Sequence, residues 1–344
     1  MVPFEVVKIK GPNPFAPWEE DPGAISGRKD ESRIFNGFSQ ATASKQTGLL
    51  AVVGGQGTGK TALLRHFRHS AEKSGMLAPY VQVERGEGLP EVLDKLCQEM
   101  ALEGGKKASA DSVEKLLLAV ERAQAGTGFG AVIFIDDIDS MKKADEAVSA
   151  IGAAAKASWG KRSVSFVVSS TRELKLDPET ATVMVLRPFN EQEARDFMEK
   201  ALGKGPPKMG EECLASILAD SGGNPRLLKS ISKHIYDKLK DTEKVITKGH
   251  YLAYMQYIMS MLSREWFGAM YQETPAAERT IVKVMASADD GMHVSDIARK
   301  IGKPLGPVTA LTKRLLDSGQ IIRMDRGKYK VFARLYAKYV MQRG

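Results

Sequence analysis

The most restrictive feature of the sequence is the run Gly54-Gly55-Gln56-Gly57-Thr58-Gly59-Lys60-Thr61. It has the spacing G-x-x-x-x-G-K-[ST] of a phosphate-binding loop (Walker A), and it lies between an apolar run and an amphipathic helical pattern. Glycines let several backbone N–H groups converge on one anion, beside the positive end of the next helix. Lys60 is expected to reach the β- and γ-phosphates of a nucleoside triphosphate, and Thr61 to ligate Mg²⁺. A chance glycine-rich turn is the weaker interpretation.

Two adjacent acids end a second apolar run, as in a Walker B strand. Residues 132–135 are Val-Ile-Phe-Ile, and Asp136 and Asp137 follow them. A buried parallel strand projects its last side chains from the carboxyl edge of the sheet, where phosphates bind. Asp136 is therefore the expected metal-side acid, and Asp137 is placed to polarise the attacking water as a general base. Asp139 is interpreted as a helix cap.

Strand and helix patterns alternate through the first half of the chain. Short apolar runs predict buried strands at residues 49–53, 80–83, 132–135, 164–168 and 182–186. Helical patterns between them cover residues 61–74, 90–102, 112–125 and 144–157. This alternation predicts an α/β fold with a parallel sheet and helices on both faces.

The chain after Pro188 has helical patterns and, for a long stretch, no strand pattern. Asn190 is the expected N-cap of a helix that ends near residue 202. Further helices are predicted at residues 211–221 and 225–240, which together form a helical lid. A long Met- and Tyr-rich helix over about 250–272 has an apolar stripe that we assign to a core between domains.

The C-terminal segment has the pattern of a winged helix. Helices are predicted at residues 276–287, 294–302 and 308–318, with a turn through Pro304, Gly306 and Pro307. A hairpin follows, with strands at 320–324 and 328–332. The second and third helices form a helix-turn-helix, whose last helix can enter the major groove of double-stranded DNA.

Positive charge is concentrated in this C-terminal segment. The chain has a net charge of +8, and from Arg299 onward only Asp317 and Asp325 oppose the lysines and arginines. The side chains expected to contact the groove or the phosphates are Thr309, Thr312, Lys313 and Arg314 on the helix and Arg323, Arg326 and Lys328 on the wing. Winged helices also dock proteins, so a protein partner is the alternative to DNA.

Composition excludes several classes of protein. The 344 residues contain no apolar run long enough to cross a membrane, and the N-terminus lacks the pattern of a secretory signal. Two cysteines, Cys97 and Cys213, exclude a disulfide scaffold, and the five histidines show no metal-ligand spacing. The expectation is a cytoplasmic protein with two or three domains and no membrane partner.

Taken together, these elements resemble the AAA+ and STAND branches of P-loop ATPases over about residues 24–344. Ile25-Ser26-Gly27-Arg28-Lys29-Asp30-Glu31 is similar to the h-h-G-R-x-x-E box whose backbone abuts the adenine. Ser170-Thr171-Arg172 is similar to the T-T-R sensor of STAND proteins. The resemblance implies that Arg172 senses the γ-phosphate, although Ser170 or Thr171 could orient water instead and Arg172 could be an ordinary surface arginine.

A second resemblance lies in the lid. Gly222-Gly223-Asn224-Pro225-Arg226 looks like the G-x-P element of STAND lids, which implies that Pro225 lies near the nucleoside. Arg226 falls where AAA+ relatives carry a second sensor arginine. The implied organisation is an extended N-terminal arm (1–23), a P-loop ATPase core (24–188), a helical lid (189–247), a connecting helix (248–273) and a winged-helix domain (274–344).

Two departures from the AAA+ pattern bear on activity. Position 137 is Asp, where most AAA+ hydrolases have Glu, so its shorter arm predicts slow hydrolysis. No residue is identified as an arginine finger for a neighbouring subunit; Arg162 and Arg187 are candidates. The leading expectation is an ATP-binding, slowly ATP-hydrolysing switch that requires Mg²⁺ and binds double-stranded DNA. The alternatives are an initiator- or loader-type AAA+ ATPase that self-associates with nucleotide on DNA, and a signalling scaffold that docks a protein.

Overall fold

A computed structural model describes residues 10–16, 25–102, 109–124 and 129–343. The expectations for residues 1–9 and 17–23 of the arm, for residue 24 at the start of the predicted core, and for Ala125 at a predicted helix end lie outside these ranges. The chain divides into two compact units. One contains Glu20–Gly54 and Gly59–Leu186, and the other contains Met1–Glu19, Gly55–Thr58 and Arg187–Gly344. We call them the sheet unit and the C-terminal unit.

The described part of the sheet unit contains a five-stranded parallel sheet in the order β2-β3-β4-β1-β5. Its strands are β1 (Leu49–Val53), β2 (Tyr80–Gln82), β3 (Ala131–Asp136), β4 (Val164–Ser170) and β5 (Ala181–Val185). Every residue of β1, β3 and β4 is buried, as expected of strands covered by helices on both faces. The sequence prediction of the sheet is confirmed.

Helices cover both faces of this sheet. They are α1 (Lys29–Ala43), α2 (Lys60–Lys73), α3 (Leu89–Leu102), α4 (Val113–Gln124) and α5 (Ala144–Ser158). One core contains apolar residues of α3, α4 and α5, and the opposite core contains those of α1 and α2. In the second core, Phe35 and Phe67 stack with ring centroids 4.2 Å apart. Helix α1 was not predicted from the sequence.

The C-terminal unit contains three lid helices, and the first of them is capped by Asn190 as the sequence predicts. Its helices are α6 (Glu191–Leu202), α7 (Glu211–Ser221) and α8 (Pro225–Lys238), and two-residue strands β6 (Lys208–Met209) and β7 (Val245–Ile246) pair beside them. Asn190 forms a capping box with Glu193. Asn224 caps α8 with Pro225 in its first turn, where the missing N–H costs nothing. The small strands were not predicted.

The predicted long connecting helix is interrupted in the structure. It consists of α9 (Lys248–Ala253), α10 (Met255–Leu262), a π-helical turn (Ser263–Phe267) and α11 (Gly268–Glu273). The π turn presents Trp266 and Phe267, both buried. Turns of this kind widen a helix locally and often occur at functional sites.

The winged helix is confirmed. Its elements are α12 (Ala276–Ala286), β8 (Met292–His293), α13 (Val294–Ile301), α14 (Leu305–Asp317), β9 (Ile321–Asp325), β10 (Lys328–Val331) and α15 (Arg334–Gln342). The three strands pair in the order β8-β10-β9. Helix α14, the predicted recognition helix, begins three residues earlier than expected, and α15 was not predicted.

The lid, the connecting helices and the winged helix share one hydrophobic core. The ring of Trp266 lies 5.4 Å from that of Phe332, and Phe267 lies 5.1 Å from Tyr336. The N-terminal segment joins the same core, because Phe15 is fully buried. In the described part of the chain, every helix is too short or too polar to cross a membrane.

Candidate functional site

The phosphate-binding loop connects β1 to α2. Gly59 has φ 94° and is the N-cap of α2, and Gly57 has φ 75°, so both positions favour glycine. Gly54 N donates to the carbonyl of Ser170 at the end of β4 (3.0 Å), and Thr58 Oγ1 donates to the carbonyl of Gly55 (2.8 Å). The loop therefore has the predicted strand–loop–helix context.

Lys60 is the first residue of α2 and is almost fully buried. Its Nζ donates to the carbonyl of Gly54 (2.9 Å) and to Thr171 Oγ1 (3.3 Å). Burial lowers the pKa of Lys60, whereas the charges of Asp137, Asp139 and Asp136, in that order, raise it. The ammonium group thus lies in the field of three carboxylates at one sheet edge.

Asp136 ends β3 and is fully buried. Its Oδ2 accepts a hydrogen bond from the Tyr80 hydroxyl (2.8 Å), and its Oδ1 accepts one from the hydroxyl of Ser169. Two hydroxyl donors therefore hold this carboxylate in one orientation. Sequence reasoning identified Asp136 but neither partner, because Tyr80 and Ser169 come from separate strands.

Asp137 follows Asp136 with a left-handed backbone (φ 55°), a conformation that Asp tolerates better than most residues. Its Oδ2 accepts a hydrogen bond from Gln82 Nε2 (3.0 Å), and its backbone N donates to Ser169 Oγ (2.8 Å). Burial and the neighbouring Asp136 charge raise the pKa of Asp137, whereas Gln82 and Lys60 lower it. The structure thus separates the environments of the two acids.

The donor set here fits a magnesium ion. Thr61, in the first turn of α2, supplies a hydroxyl, and Asp136 supplies a carboxylate. Burial is the main cause of the raised pKa of Asp137, and the negative charges of Asp136 and Asp139 add to it; a divalent cation would offset those two charges. Among the described residues, no cluster of three or more His, Cys, Asp or Glu side chains forms a metal cage. Mg²⁺ commonly binds through few protein oxygens together with phosphates and water.

Three expectations near the end of β4 are corrected. Arg172 Nη1 pairs with Asp145 Oδ1 (3.1 Å) at the start of α5, whereas Thr171 supplies the hydroxyl beside Lys60. Asp139 caps no helix; its Oδ2 accepts from Thr171 N (3.1 Å), and its buried Oδ1 has no hydrogen-bond partner in the structure. Ser170 is buried and donates to the carbonyl of Arg172 (2.7 Å), so it is not positioned to orient water.

The segment of residues 25–31, which precedes the phosphate-binding loop, is held by contacts within the sheet unit. Gly27 has φ 69°, which explains the glycine there. Arg28 is buried and its Nη1 pairs with Glu31 Oε1 (3.2 Å), and Ile25 packs against the core of α1 and α2. The role of Ile25 and Arg28 beside an adenine remains a prediction.

Arg162, one of the two arginine-finger candidates, forms ion pairs within the sheet unit. Its guanidinium contacts Glu114 and Glu121, each at 2.7 Å, and these bonds raise its pKa. Arg162 therefore has a structural role in this conformation. Arg187 opens the C-terminal unit, directly after the last strand of the sheet.

The tip of the phosphate loop, Gly55–Thr58, belongs to the C-terminal unit. Within that unit, Asn224 Nδ2 donates to the carbonyl of Gln56 (2.8 Å), and Arg226 N donates to the carbonyl of Gly57 (3.2 Å). The Arg226 guanidinium lies over the Trp266 ring, 4.4 Å from its centroid. Burial lowers the pKa of Arg226, and the charge of Glu265 opposes that effect. Sequence reasoning selected Pro225 and Arg226 but not Trp266.

Most of the predicted DNA-contacting side chains lie on the surface of the winged helix. Those that are exposed or partly exposed are Thr309, Lys313, Arg314, Arg323, Arg326 and Lys328. Thr312 is a wrong prediction, because it is 1% exposed and its hydroxyl donates to the carbonyl of Val308 (2.8 Å). The helical periodicity places it on the core face of α14.

The parallel sheet with helices on both faces, the phosphate loop and the paired aspartates define a P-loop NTPase fold, and a winged helix ends the chain. Residues 43–175 match the family model described as an AAA domain. A search of curated proteins found no match.

Two solved structures share the fold over nearly the whole chain. The Aeropyrum pernix Orc1 protein in complex with DNA is 16% identical, with a TM-score of 0.52 and 94% of each chain covered. Cdc6p from Pyrobaculum aerophilum is 12% identical, with a TM-score of 0.50, and the match covers 96% of this chain and 97% of Cdc6p. At these identities the likeness concerns the fold alone.

Proposed function

We propose that the protein is an ATP-binding switch that hydrolyses ATP slowly and binds double-stranded DNA through its winged helix. The observation that carries the nucleotide part is the placement of Lys60. Its buried ammonium group lies at a loop of glycines, in contact with Thr171 and in the field of three aspartates. This combination suits a polyanion bound together with a divalent cation.

Each residue then has a defined task in ATP binding. The loop amides and Lys60 bind the β- and γ-phosphates, and Thr61 and Asp136 hold Mg²⁺, which neutralises phosphate charge when it is bound. Tyr80 and Ser169 fix the orientation of Asp136. We assign Ile25 and Arg28 to the adenine side of the site, and Pro225 and Arg226 to the lid side.

Asp137 is the proposed general base that orients the attacking water. Its raised pKa favours accepting a proton more than an ordinary aspartate would. Its side chain is one methylene shorter than Glu and already accepts a hydrogen bond from Gln82. Both features support slow turnover. Thr171, rather than Arg172, is the proposed sensor of the γ-phosphate.

DNA binding is supported by the exposed basic side chains of α14 and the wing, and by the shared fold with an Orc1 protein whose solved structure contains DNA. The same architecture favours a second candidate, an initiator- or loader-type ATPase that self-associates with ATP on DNA. A protein-docking role of the winged helix is the remaining alternative. We propose a cytoplasmic location because Cys97 and Cys213 are free thiols, which is typical of reducing compartments.

Three measurements test this proposal. ATP affinity and turnover are compared for the parent and Lys60→Ala; we expect clear loss of both in the variant, and equal values would refute nucleotide binding at this loop. Duplex DNA binding is measured at several salt concentrations, and a steep loss of affinity with added salt is expected. No binding at low salt would contradict the DNA role and favour the scaffold. The molecular mass of the protein in solution is measured with and without ATP and duplex DNA. Self-association with both ligands would favour the initiator-type ATPase over the switch.

A further inference from the structure

The tip of the phosphate loop is enclosed by residues of the C-terminal unit, to which it belongs. Gln56 is held twice, because its carbonyl accepts from Asn224 Nδ2 (2.8 Å) and its Oε1 accepts from Trp266 Nε1 (3.3 Å). A Cβ at Gly57 would lie 2.7 Å from Asn224 Oδ1 and 3.0 Å from the Trp266 ring. The loop therefore fits between these two side chains without spare room.

The third side of this enclosure is Gly319. It has φ +73°, and a Cβ there would lie 2.8 Å from Gln56 N and 3.5 Å from Gly55 Cα. Gly319 lies between the end of the recognition helix α14 and the wing strand β9. The junction between the two proposed DNA-contacting elements thus abuts the backbone of the phosphate loop.

Buried hydrogen bonds and ring contacts hold these enclosing residues in place. Gln320, next to Gly319, is buried; its Nε2 donates to Thr274 Oγ1 (2.8 Å), and its Oε1 accepts from Tyr336 (3.0 Å). On the π turn, Glu265 Oε2 accepts from Ser230 Oγ (3.0 Å) beside Trp266. The enclosure is therefore a packed part of the fold rather than a surface flap.

We propose that Asn224, Trp266 and Gly319 form a socket that positions Gln56 and Gly57, so that the winged helix sets the affinity of the phosphate loop for nucleotide. The inference rests on the proposed binding of ATP at this loop. Backbone amides bind an anion well only when the chain is held in the converging conformation, and the socket residues are positioning residues in that sense. Because coupling between two sites is reciprocal, duplex DNA bound at the winged helix would change nucleotide affinity by the same factor as nucleotide changes DNA affinity.

Gly319→Ala, with Gly302→Ala as its matched control, tests the socket. Both glycines end a helix of the helix-turn-helix with positive φ, but a Cβ at Gly302 (φ +64°) meets nothing within 4 Å. Both variants therefore carry the same kind of backbone strain, and only Gly319→Ala presses on Gln56. We measure the affinity of the full chain for a fluorescent ATP analogue and its thermal midpoint. Gly319→Ala is expected to weaken binding about tenfold or more, and Gly302→Ala less than about twofold; equal affinities in the two variants would overturn the proposal.

A second pair of variants covers the case in which Gly319→Ala does not fold. Trp266→Phe keeps a ring but removes the N–H donor, and Gln56→Leu removes its acceptor. Each is expected to weaken binding about threefold to tenfold, and the double variant no more than the worse single variant, because both remove one interaction. Additive losses, or no loss in either single variant, would contradict the socket. If the parent binds ATP no better than Lys60→Ala, the proposed nucleotide binding at this loop is wrong. If Lys60→Ala loses affinity but the socket variants bind ATP as tightly as the parent, the socket is wrong and the proposed function stands.

Discussion

The Tyr80 hydroxyl donates a hydrogen bond to Asp136 Oδ2 at 2.8 Å, within a sheet edge where Ser169 donates to the other carboxylate oxygen. Burial and the negative charge of Asp136 raise the pKa of Tyr80 far above its ordinary value. The phenol therefore stays protonated and remains a donor at any physiological pH. A buried carboxylate with two fixed donors is pre-oriented for a cation, because its rotamer is already selected.

Tyr80→Phe is expected to destabilise the sheet unit, because a buried carboxylate loses one of its two donors. A hydrogen bond to a charged group contributes about 1.5–3 kcal/mol. The midpoint of thermal unfolding should fall by several degrees, measured with nucleotide and metal removed. Ser169→Ala removes the other donor and should act in the same direction. An unchanged midpoint in Tyr80→Phe would show that this bond does not hold Asp136 in solution.

Asp137→Asn is expected to stabilise the protein while lowering its activity. The folded pKa of Asp137 is raised, so as pH rises the unfolded chain releases this proton first and the fold loses stability. At neutral pH the amide removes that cost, and Asn also tolerates the left-handed backbone at this position. Thermal unfolding in chelator should show a higher midpoint than the parent, and ATP turnover should fall about a hundredfold or more.

The outcome for Asp137→Asn separates two roles of this acid. If Asp137→Asn is more stable than the parent but inactive, the result supports Asp137 as a general base that lowers the stability of the fold. A variant with parental turnover would remove Asp137 from the reaction, whatever its stability. Asp111, an exposed acid paired with Lys115 on the surface, provides the control, since Asp111→Asn should leave turnover unchanged.

Thr171→Val should lower ATP turnover much more than Arg172→Ala. Thr171 Oγ1 accepts a hydrogen bond from Lys60 Nζ, so loss of this hydroxyl disturbs the ammonium group that we propose binds the γ-phosphate. Arg172 pairs with Asp145, and loss of that partly exposed pair is expected to cost less than about 1 kcal/mol of stability. Steady-state kinetics on both variants compares kcat. A larger fall in Arg172→Ala would restore the arginine as the phosphate sensor.

On the winged helix, Arg323→Ala should weaken duplex binding on all sequences alike. Removing one phosphate contact is expected to reduce the slope of log affinity against log salt by about 1. Thr312→Val on the core face of α14 should leave DNA affinity unchanged, because that side chain is buried. Filter binding over a salt series measures both. A Thr312→Val variant that folds but loses DNA binding would reverse our correction.

Phe15→Ala should destabilise the C-terminal unit by about 3–5 kcal/mol, as is usual for a fully buried phenylalanine. The ring lies 6.4 Å from those of Phe197 and Tyr236, and Asn13 Nδ2 donates to the carbonyl of Lys233 (2.9 Å). Guanidinium denaturation followed by circular dichroism measures the loss. Phe129→Ala, at a side chain that is 60% exposed, is the control and should cost under about 1 kcal/mol.

The local elements of this fold could be predicted because each leaves its own pattern in the sequence. Most residues of the longer strands are apolar, and Asn190 and Asn224 cap helices because their side chains accept hydrogen bonds from backbone N–H groups. Helix α15 also leaves a pattern that was overlooked, because its exposed residues Arg334, Lys338 and Met341 recur at spacings of four and three residues opposite a buried apolar face. The same reasoning misplaced Thr312, because a polar residue on a basic helix was assumed to face solvent.

Site residues could be predicted only where they belong to one short motif in the sequence. Lys60 and Asp136 follow from motifs, but the partners that orient them come from other strands, at distances along the chain that no local pattern encodes. An acid at the start of a helical pattern predicts a cap at Asp139, but its carboxylate instead accepts a hydrogen bond from the backbone N–H of Thr171. The contacts of Gln56 with Trp266 and Gly319 join segments more than two hundred residues apart.

The shared aromatic core of the lid and the winged helix limits how this protein can be dissected. A fragment cut near residue 274 would leave Trp266 and Phe267 bare on one piece and Phe332 and Tyr336 bare on the other. Exposed surfaces of this kind promote aggregation. A fragment that starts at Arg187 keeps these ring pairs together but still lacks Phe15, which lies in the same core. The winged helix therefore cannot be separated from the rest of the C-terminal unit without exposing part of this core.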